Sequence, residues 1–193
     1  MTIQIEEQYY QDNTLKIRIY SDNGNRHREG GPAYESFYQS GSLCRRGWYI
    51  DGKRHREDGP AVESFHENGN PALYVWRIDN KVHREDGPAI EVFYEDGTLA
   101  QREWLIGDNH HRINGPTYEL YYKNGALNQN IWHVNGKRHR LSGPAVECFS
   151  EIGRRTKSMY YLNSERVSKP EHRRRISLQK LSIKIEDSGR VSL

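Results

Sequence analysis

The chain has few of the residues from which a large closed core is built. Only 34% of its 193 residues are hydrophobic, including four Phe and two Met, and the mean hydropathy is −1.00. No apolar run approaches the roughly 20 residues that span a bilayer, so no transmembrane segment is expected. This composition favours an elongated repeat protein, in which each unit buries its surface mainly against its neighbours.

Cysteine and signal-peptide features are scarce too. Cys44 and Cys148 share no position in the repeat described below, so no ladder of disulfides is expected. Two scattered cysteines are typical of a reducing compartment. Residues 1–7 lack the apolar stretch of a signal peptide. We therefore expect a cytoplasmic protein with free thiols.

Common catalytic motifs are missing as well. The sequence contains no P-loop, no dinucleotide-binding fingerprint and no nucleophile motif. The net charge of +3 provides no strong field that would attract nucleic acid. Charges of both signs are interspersed, apart from consecutive arginines at residues 173–175. No enzyme activity and no cofactor are predicted.

What the chain has instead is one motif at a fixed interval. His-Arg-Glu-Asp-Gly-Pro-Ala stands at residues 55–61 and 83–89, and altered copies stand at 27–33, 111–117 and 139–145. The first residues of the five copies, spaced 28 apart, are His27, His55, His83, His111 and His139. A fixed period of this length is the signature of a repeat architecture. We predict a repeat array over residues 1–166 and a separate basic segment over residues 167–193.

Within each unit the periodicity is two, which predicts β-strands. Ala61, Glu63 and Phe65 share one face of such a strand, and Val62 and Ser64 share the other. Asn-Gly and Asp-Gly pairs, which are strong hairpin signals, then lead into second strands predicted at residues 43–50, 73–78, 99–106 and 127–134. The predicted fold class is all-β: an elongated repeat array of stacked antiparallel β-hairpins, with about twelve strands.

The motif itself is too polar for a strand and predicts a loop, in which Gly59 is free to adopt a positive φ. Glutamate recurs on the strand that follows and shares a face with apolar neighbours, so it needs a partner. Arginine matches a carboxylate with two hydrogen bonds, so the loop Arg and His are the expected donors. The predicted structural set comprises His27, Arg28, Glu35, His55, Arg56, Glu63, His83, Arg84, Glu91, His111, Arg112, Glu119, His139, Arg140 and Glu147.

Repetition argues against a catalytic or metal-binding role for this set. Successive histidines would lie about 10 Å apart if each repeat adds two strands, which is too far for two of them to share one ion. A catalytic site is needed once, whereas a structural pair is needed in every repeat. The Arg/His loop edge is an alternative site for a polyanion, such as a nucleotide, a phosphoinositide or nucleic acid. Glu57 and Asp58 neutralise part of that edge.

The sheet face opposite the glutamates carries the residues expected to bind a partner. Tyrosine gives a large contact area at low entropic cost, which suits recognition. The predicted partner-binding set comprises Tyr34, Tyr38, Tyr94, Tyr118 and Tyr122. The expected partner is another protein, or a second copy of this chain joined through the sheet edges.

The segment after the array carries spaced apolar residues. They are Ile176, Leu178, Leu181, Ile183 and Ile185. Their spacing fits two short strands or one amphipathic helix over residues 174–186, and we slightly favour strands. In either form the segment is predicted to cap the end of the array, because an open sheet edge invites pairing with another chain.

The run Trp-x-x-x-Gly-Lys-x-His-Arg-Glu-Asp-Gly-Pro-Ala resembles the long variant of the MORN-type repeat. It stands at residues 48–61, and at 76–89 with Asn80 in place of the glycine; the resemblance covers residues 3–166. The chain departs from the short MORN unit in its longer period and in having His-Arg where that unit has His-Gly. Such arrays are similar to those of large DNA viruses, phages and antitoxin-like bacterial proteins. The resemblance implies a non-catalytic scaffold or inhibitor that associates with a protein, and less strongly with a membrane.

Overall fold

A computed structural model describes residues 2–189 of the chain, which are almost entirely strands and turns up to residue 167. In chain order the strands are β1 (Gln4–Tyr9), β2 (Leu15–Asp22), β3 (Asn25–Arg26), β4 (Tyr34–Phe37), β5 (Leu43–Gly47), β6 (Tyr49–Ile50), β7 (Lys53–Arg54), β8 (Val62–Phe65), β9 (Pro71–Val75), β10 (Arg77–Ile78), β11 (Lys81–Val82), β12 (Ile90–Phe93), β13 (Leu99–Glu103), β14 (Leu105–Ile106), β15 (Asn109–His110), β16 (Tyr118–Tyr121), β17 (Leu127–Ile131), β18 (His133–Val134), β19 (Lys137–Arg138), β20 (Val146–Phe149), β21 (Arg155–Leu162) and β22 (Glu165–Val167). One helix, α1 (Lys169–Gly189), follows them within the described residues.

Two strands from each repeat join one long antiparallel sheet. Its strands follow in the order β1-β2-β4-β5-β8-β9-β12-β13-β16-β17-β20-β21-β22, and β3 pairs with the end of β2. The register repeats with the sequence, since Arg18 lies opposite Glu35 and Arg46 lies opposite Glu63. The elongated all-β array of stacked hairpins, predicted from the 28-residue period, is confirmed.

Each full repeat also contains a short hairpin that the sequence pattern did not predict. β6–β7, β10–β11, β14–β15 and β18–β19 form separate two-stranded sheets. The strand predicted at residues 73–78 is interrupted at Trp76. The backbone N–H of Trp76 donates to Ala89 O at 2.9 Å, and the next two residues form β10. The prediction of four continuous second strands was therefore wrong, because the chain leaves the long sheet at each tryptophan.

The two kinds of turn differ in backbone geometry. In the short hairpins both central residues have positive φ, as at Asp51 (48°) and Gly52 (76°), which is the type I′ pattern. In the long hairpins only one residue does, as at Gly69 (87°), whose N–H donates to His66 O at 2.9 Å. Asn, Asp and Gly tolerate these values, so the turn residues of the sequence are explained by local geometry.

The core lies between the long sheet and the short hairpins. Val62 and Val75 of the long sheet pack with Val82 and Leu105 of the hairpins, and with the fully buried Ala89. Each short hairpin therefore covers one face of the sheet. A thin core of this kind agrees with the low hydrophobic content.

The C-terminal segment is a helix, so the slight preference for strands was wrong. Ser168 accepts a hydrogen bond from the Glu171 N–H at 3.3 Å, and Glu171 pairs with Arg174 and Arg175, at 2.8 and 2.7 Å, one turn later. This is a helix start with i,i+3 and i,i+4 ion pairs. α1 packs against β21 at the end of the array and leaves residues 155–158 of that strand exposed. No helix within the described residues combines the length and apolar character needed to cross a bilayer.

Candidate functional site

Each loop arginine lies over the aromatic ring that stands eight residues before it. The distances from Cζ to the ring centroid are 3.9 Å for Arg28–Tyr20, 4.0 Å for Arg56–Trp48, 4.1 Å for Arg84–Trp76, 3.8 Å for Arg112–Trp104 and 3.7 Å for Arg140–Trp132. A guanidinium at this distance is attracted by the ring and covers its apolar face. The motif arginine and the recurring tryptophan are therefore one structural unit.

In the first four loops the glycine before the proline makes room for this arginine. A Cβ at Gly59 would lie 2.7 Å from Arg56 Cζ. The φ of Gly59 is outside the left-handed region, so the expectation of a positive φ was wrong and the requirement is for space. Arg56 Nη1 then donates to Pro60 O at 3.3 Å, which closes the loop on itself.

The recurring glutamates all pair with an arginine, but not always with the loop arginine. The loop pairs are Arg56–Glu63 at 3.0 Å, Arg112–Glu119 at 3.1 Å and Arg140–Glu147 at 3.2 Å. Glu35 and Glu91 pair instead with Arg18 at 3.7 Å and Arg102 at 3.2 Å on the neighbouring strand. The buried Glu63 has both kinds of partner, since Arg46 lies 2.6 Å from it. These charges are thus balanced inside the array.

Three of the five loop histidines bind the turn of the following short hairpin. Their Nδ1 atoms accept hydrogen bonds from backbone N–H groups in the pairs His27–Asp51, His55–Asp79 and His139–Asn163, at 3.2, 3.4 and 3.1 Å. The residues that donate these N–H groups are turn residues with positive φ of 48–51°. The histidine therefore holds a left-handed turn of the next repeat in place.

The five tyrosines predicted to bind a partner are half-buried parts of the array. The hydroxyls of Tyr38, Tyr94 and Tyr122 donate to backbone carbonyls 27 residues later, at 2.9, 2.8 and 2.9 Å. Tyr34 lies under the Arg26 guanidinium at 4.9 Å, and the Tyr118 hydroxyl donates to Gln101 at 3.3 Å. These contacts link successive repeats and occupy the polar ends of the side chains.

The last two loops differ from the others in a way that the sequence reading overlooked. Asp58 and Asp86 accept hydrogen bonds from the loop arginines at 2.8 and 2.7 Å, which lowers the pKa of both carboxyls. The Glu-Asp pair is replaced by Ile113-Asn114 in the fourth loop and by Leu141-Ser142 in the fifth. Ile113 is 85% exposed and Leu141 is 44% exposed. The sequence signal for this difference was that residues 113–114 and 141–142 depart from the Glu-Asp of the motif.

Open grooves lie between successive loops. The groove between the third and fourth loops has a volume of about 950 Å³, with Trp104 and Ile106 in its lining, and Ile113 stands beside them. The corresponding groove between the first and second loops has about 590 Å³ and includes Trp48 and Ile50. The grooves are thus a repeated feature, and the exposed isoleucine distinguishes one of them.

A polar cluster interrupts the core beneath the fourth repeat. The rings of His110 and His133 stack with centroids 4.6 Å apart, and His133 Nδ1 lies 2.7 Å from the Thr117 hydroxyl. Burial, with smaller contributions from His110 and Arg138, lowers the pKa of His133 to about 4. Burial also lowers the pKa of His110 and raises the pKa of Glu103, which is 3.7 Å from His110. Both imidazoles are therefore neutral at pH 7.

Among the residues that the structure describes, no three His, Cys, Asp or Glu side chains come together as a metal site. No protein-family model matches the chain, and no curated protein matches it.

Proposed function

We propose that this protein is a non-catalytic protein-binding scaffold, and that its partner binds the loop edge of the last two repeats. The observation that carries the proposal is the exposure of Ile113 and Leu141 where the motif places Glu57 and Glu85. An apolar side chain beside an aromatic-lined groove is the kind of surface on which a few residues dominate binding energy.

The resemblance to MORN-type repeats supports the same class of function. Under that resemblance the scaffold is an inhibitor or antitoxin-like partner of an enzyme, of viral, phage or bacterial origin. Both cysteines are free thiols, which supports the proposed cytoplasmic location. The repeated residues contribute the framework, because the loop arginines stack on aromatic rings and the strand glutamates pair with arginines.

The alternative function, binding of a polyanion by the loop edge, is less well supported. Arg112 stacks on Trp104, donates to Pro116 O at 2.9 Å and pairs with Glu119. A phosphate would have to displace these contacts before the guanidinium could bind it. The loop arginines are therefore better suited to hold the groove open than to bind an anion.

The test is a pull-down, from cells that produce the protein, with a variant that restores the motif. Ile113→Glu combined with Leu141→Glu places the residue of the second and third loops at both positions. We expect the wild type to retain a protein partner, and the double variant to bind it at least about tenfold more weakly. Circular dichroism should show the fold unchanged, because both side chains are exposed.

Ile152→Glu is the matched control. Ile152 is 83% exposed but lies in the turn between β20 and β21, away from the loops. It should retain the partner like the wild type. Equal retention by the motif-restoring variant would contradict the proposed surface, and a copurifying small anion with no protein partner would favour the alternative.

A further inference from the structure

The first strand leaves one edge of the long sheet open. Within residues 2–189, β1 pairs only with β2, and all six of its residues are exposed. Ile5 is 60% exposed on this strand. A row of unpaired backbone N–H and C=O groups with an apolar side chain is a template for pairing with another strand.

The last long strand is open over half of its length. β22 pairs with residues 160–162 of β21, while residues 155–158 are exposed and, within the described residues, lie in a ladder with β20 alone. A groove of about 370 Å³ lies along this edge, between Arg155 and Ser158 on one side and Ser168 and Lys169 on the other. The far end of the sheet therefore offers both a free backbone edge and room beside it.

The two strands with open edges, β1 and β21, occupy repeat positions whose equivalents pair with each other inside the array. Glu35 of β4 lies opposite Arg18 of β2, and Glu147 of β20 lies opposite Asn130 of β17. One period before Glu35 is Glu7 in β1, and one period after Asn130 is Ser158 in β21. A second chain that places Glu7 opposite Ser158 would therefore continue the 28-residue register without a break.

The two halves of the chain carry opposite net charge, which the overall charge of +3 conceals. Residues 1–100 contain 12 Lys and Arg against 17 Asp and Glu, a net charge of −5. Residues 101–193 contain 17 Lys and Arg against 9 Asp and Glu, a net charge of +8. In the continued register Lys157 faces Gln8 and lies diagonally across from Glu6, within reach of a cross-strand ion pair. Opposite potentials of this kind steer two surfaces together.

Helix α1 takes the place of a loop and leaves the strand position free. Ser168 stands where a sixth loop arginine would be, and His172 lies over Tyr160 instead, with ring centroids 5.0 Å apart. His172 Nε2 also lies 2.8 Å from Arg140 O, which ties α1 to the fifth loop. Strand β1 is not introduced by the Gly-Pro-Ala motif, since Ile5 stands at its alanine position. An incoming β1 therefore needs a strand edge and no loop, which is what this end provides.

We propose that the chain associates with itself head to tail, with β1 of one copy pairing with the open edge of β21 in the next. The joint is heterologous, so it leaves a free β1 and a free β21 at the ends of every assembly. Chains then add without a fixed limit and extend the sheet in one direction. This association is separate from partner binding at the loop edge, because it uses other residues.

The experiment is sedimentation equilibrium over a concentration series at low salt, with charge-swapped variants. The wild type should show an average mass that rises with concentration in steps of the 22.7 kDa chain, and less so at high salt. Lys157→Glu and Glu6→Lys should each weaken the association by about tenfold, because an attractive cross-strand pair becomes repulsive. The double variant, in which the pair is reversed, should recover most of it.

Lys81→Glu is the control for net charge, since Lys81 is exposed on a short hairpin far from both ends. It should associate like the wild type. A wild type that stays at the monomer mass throughout the series would overturn the proposal. So would a species that stops at two copies, or a loss in Lys157→Glu no larger than that in Lys81→Glu.

Discussion

Replacing Gly87 by Ala probes the stack of arginine on tryptophan at the centre of the array. A Cβ at this position would lie 2.8 Å from Arg84 Cζ and 3.0 Å from Nε. The guanidinium is the end of a flexible side chain and can move aside. It must then leave the Trp76 ring at 4.1 Å and Pro88 O at 3.2 Å. The cost of the substitution is therefore the cost of displacing Arg84.

The magnitude follows from the contacts that Arg84 loses. A partly exposed cation–π contact contributes about 0.5–1 kcal/mol, and a hydrogen bond from a charged donor contributes about 1.5 kcal/mol. The pair with Asp86 adds little, because that carboxylate is exposed. Reduced freedom of the unfolded chain returns about 0.4–1 kcal/mol on replacing Gly by Ala. We expect a net destabilisation of about 1–2 kcal/mol.

Gly143→Ala is the matched control, since a Cβ there would lie 3.5 Å from Arg140 Nη1, an ordinary contact. This variant should be as stable as the wild type or more stable by up to about 1 kcal/mol. The measurement is urea unfolding followed by tryptophan fluorescence. The double variant Arg84→Ala with Gly87→Ala should be no less stable than Arg84→Ala alone, because the clash disappears with the arginine side chain. Equal shifts for the two glycines, or additive losses in the double variant, would refute the reasoning.

Two further predictions concern the core and the tyrosines. Stability should fall as the pH drops from about 6.5 towards 4, because the lowered pKa of His133 means that the unfolded chain binds a proton that the folded chain does not. The raised pKa of Glu103 acts in the opposite sense. His133→Phe should weaken this pH dependence in urea melts at each pH, and an unchanged profile would exclude the cluster as its cause. Tyr94→Phe should destabilise the protein by about 0.5–1.5 kcal/mol through loss of the hydrogen bond to Tyr121 O. The variant should still bind partners like the wild type. Weaker partner capture by a folded Tyr94→Phe protein would instead indicate that the tyrosine face is the binding surface.

The repeat fold was predictable because its determinants are local and recur. The 28-residue interval, the period of two and the Asn-Gly turns each point to stacked hairpins, and five copies make the pattern unambiguous. The break at Trp76 was not predictable from that pattern. An aromatic residue between Val75 and Arg77 continues the alternation, and only the bond from Trp76 N–H to Ala89 O shows that the chain has left the ladder.

The sequence held other signals that a reading by period alone misses. Ser168-Lys169-Pro170-Glu171 has the serine and glutamate spacing of a helix start, which decides between strand and helix where apolar spacing does not. The loop glycine was assigned to backbone freedom, yet its reason is the guanidinium packed against it. That contact joins residues three apart in sequence through a side-chain conformation, which propensity does not encode.

Because the recurring residues are occupied in holding the array together, new contacts must come from positions that break the pattern. The pattern breaks at the two exposed apolar loop residues, Ile113 and Leu141, and at the two open strand edges. In a repeat array each unit touches only its neighbours, so changes at separate units act almost independently. The loop surface and the sheet ends can therefore vary separately. Under the two proposals above, the loop surface determines what the protein binds, and the sheet ends determine how many copies assemble. A long sheet of repeats is suited to this division, since elongation multiplies the loop surface without altering it.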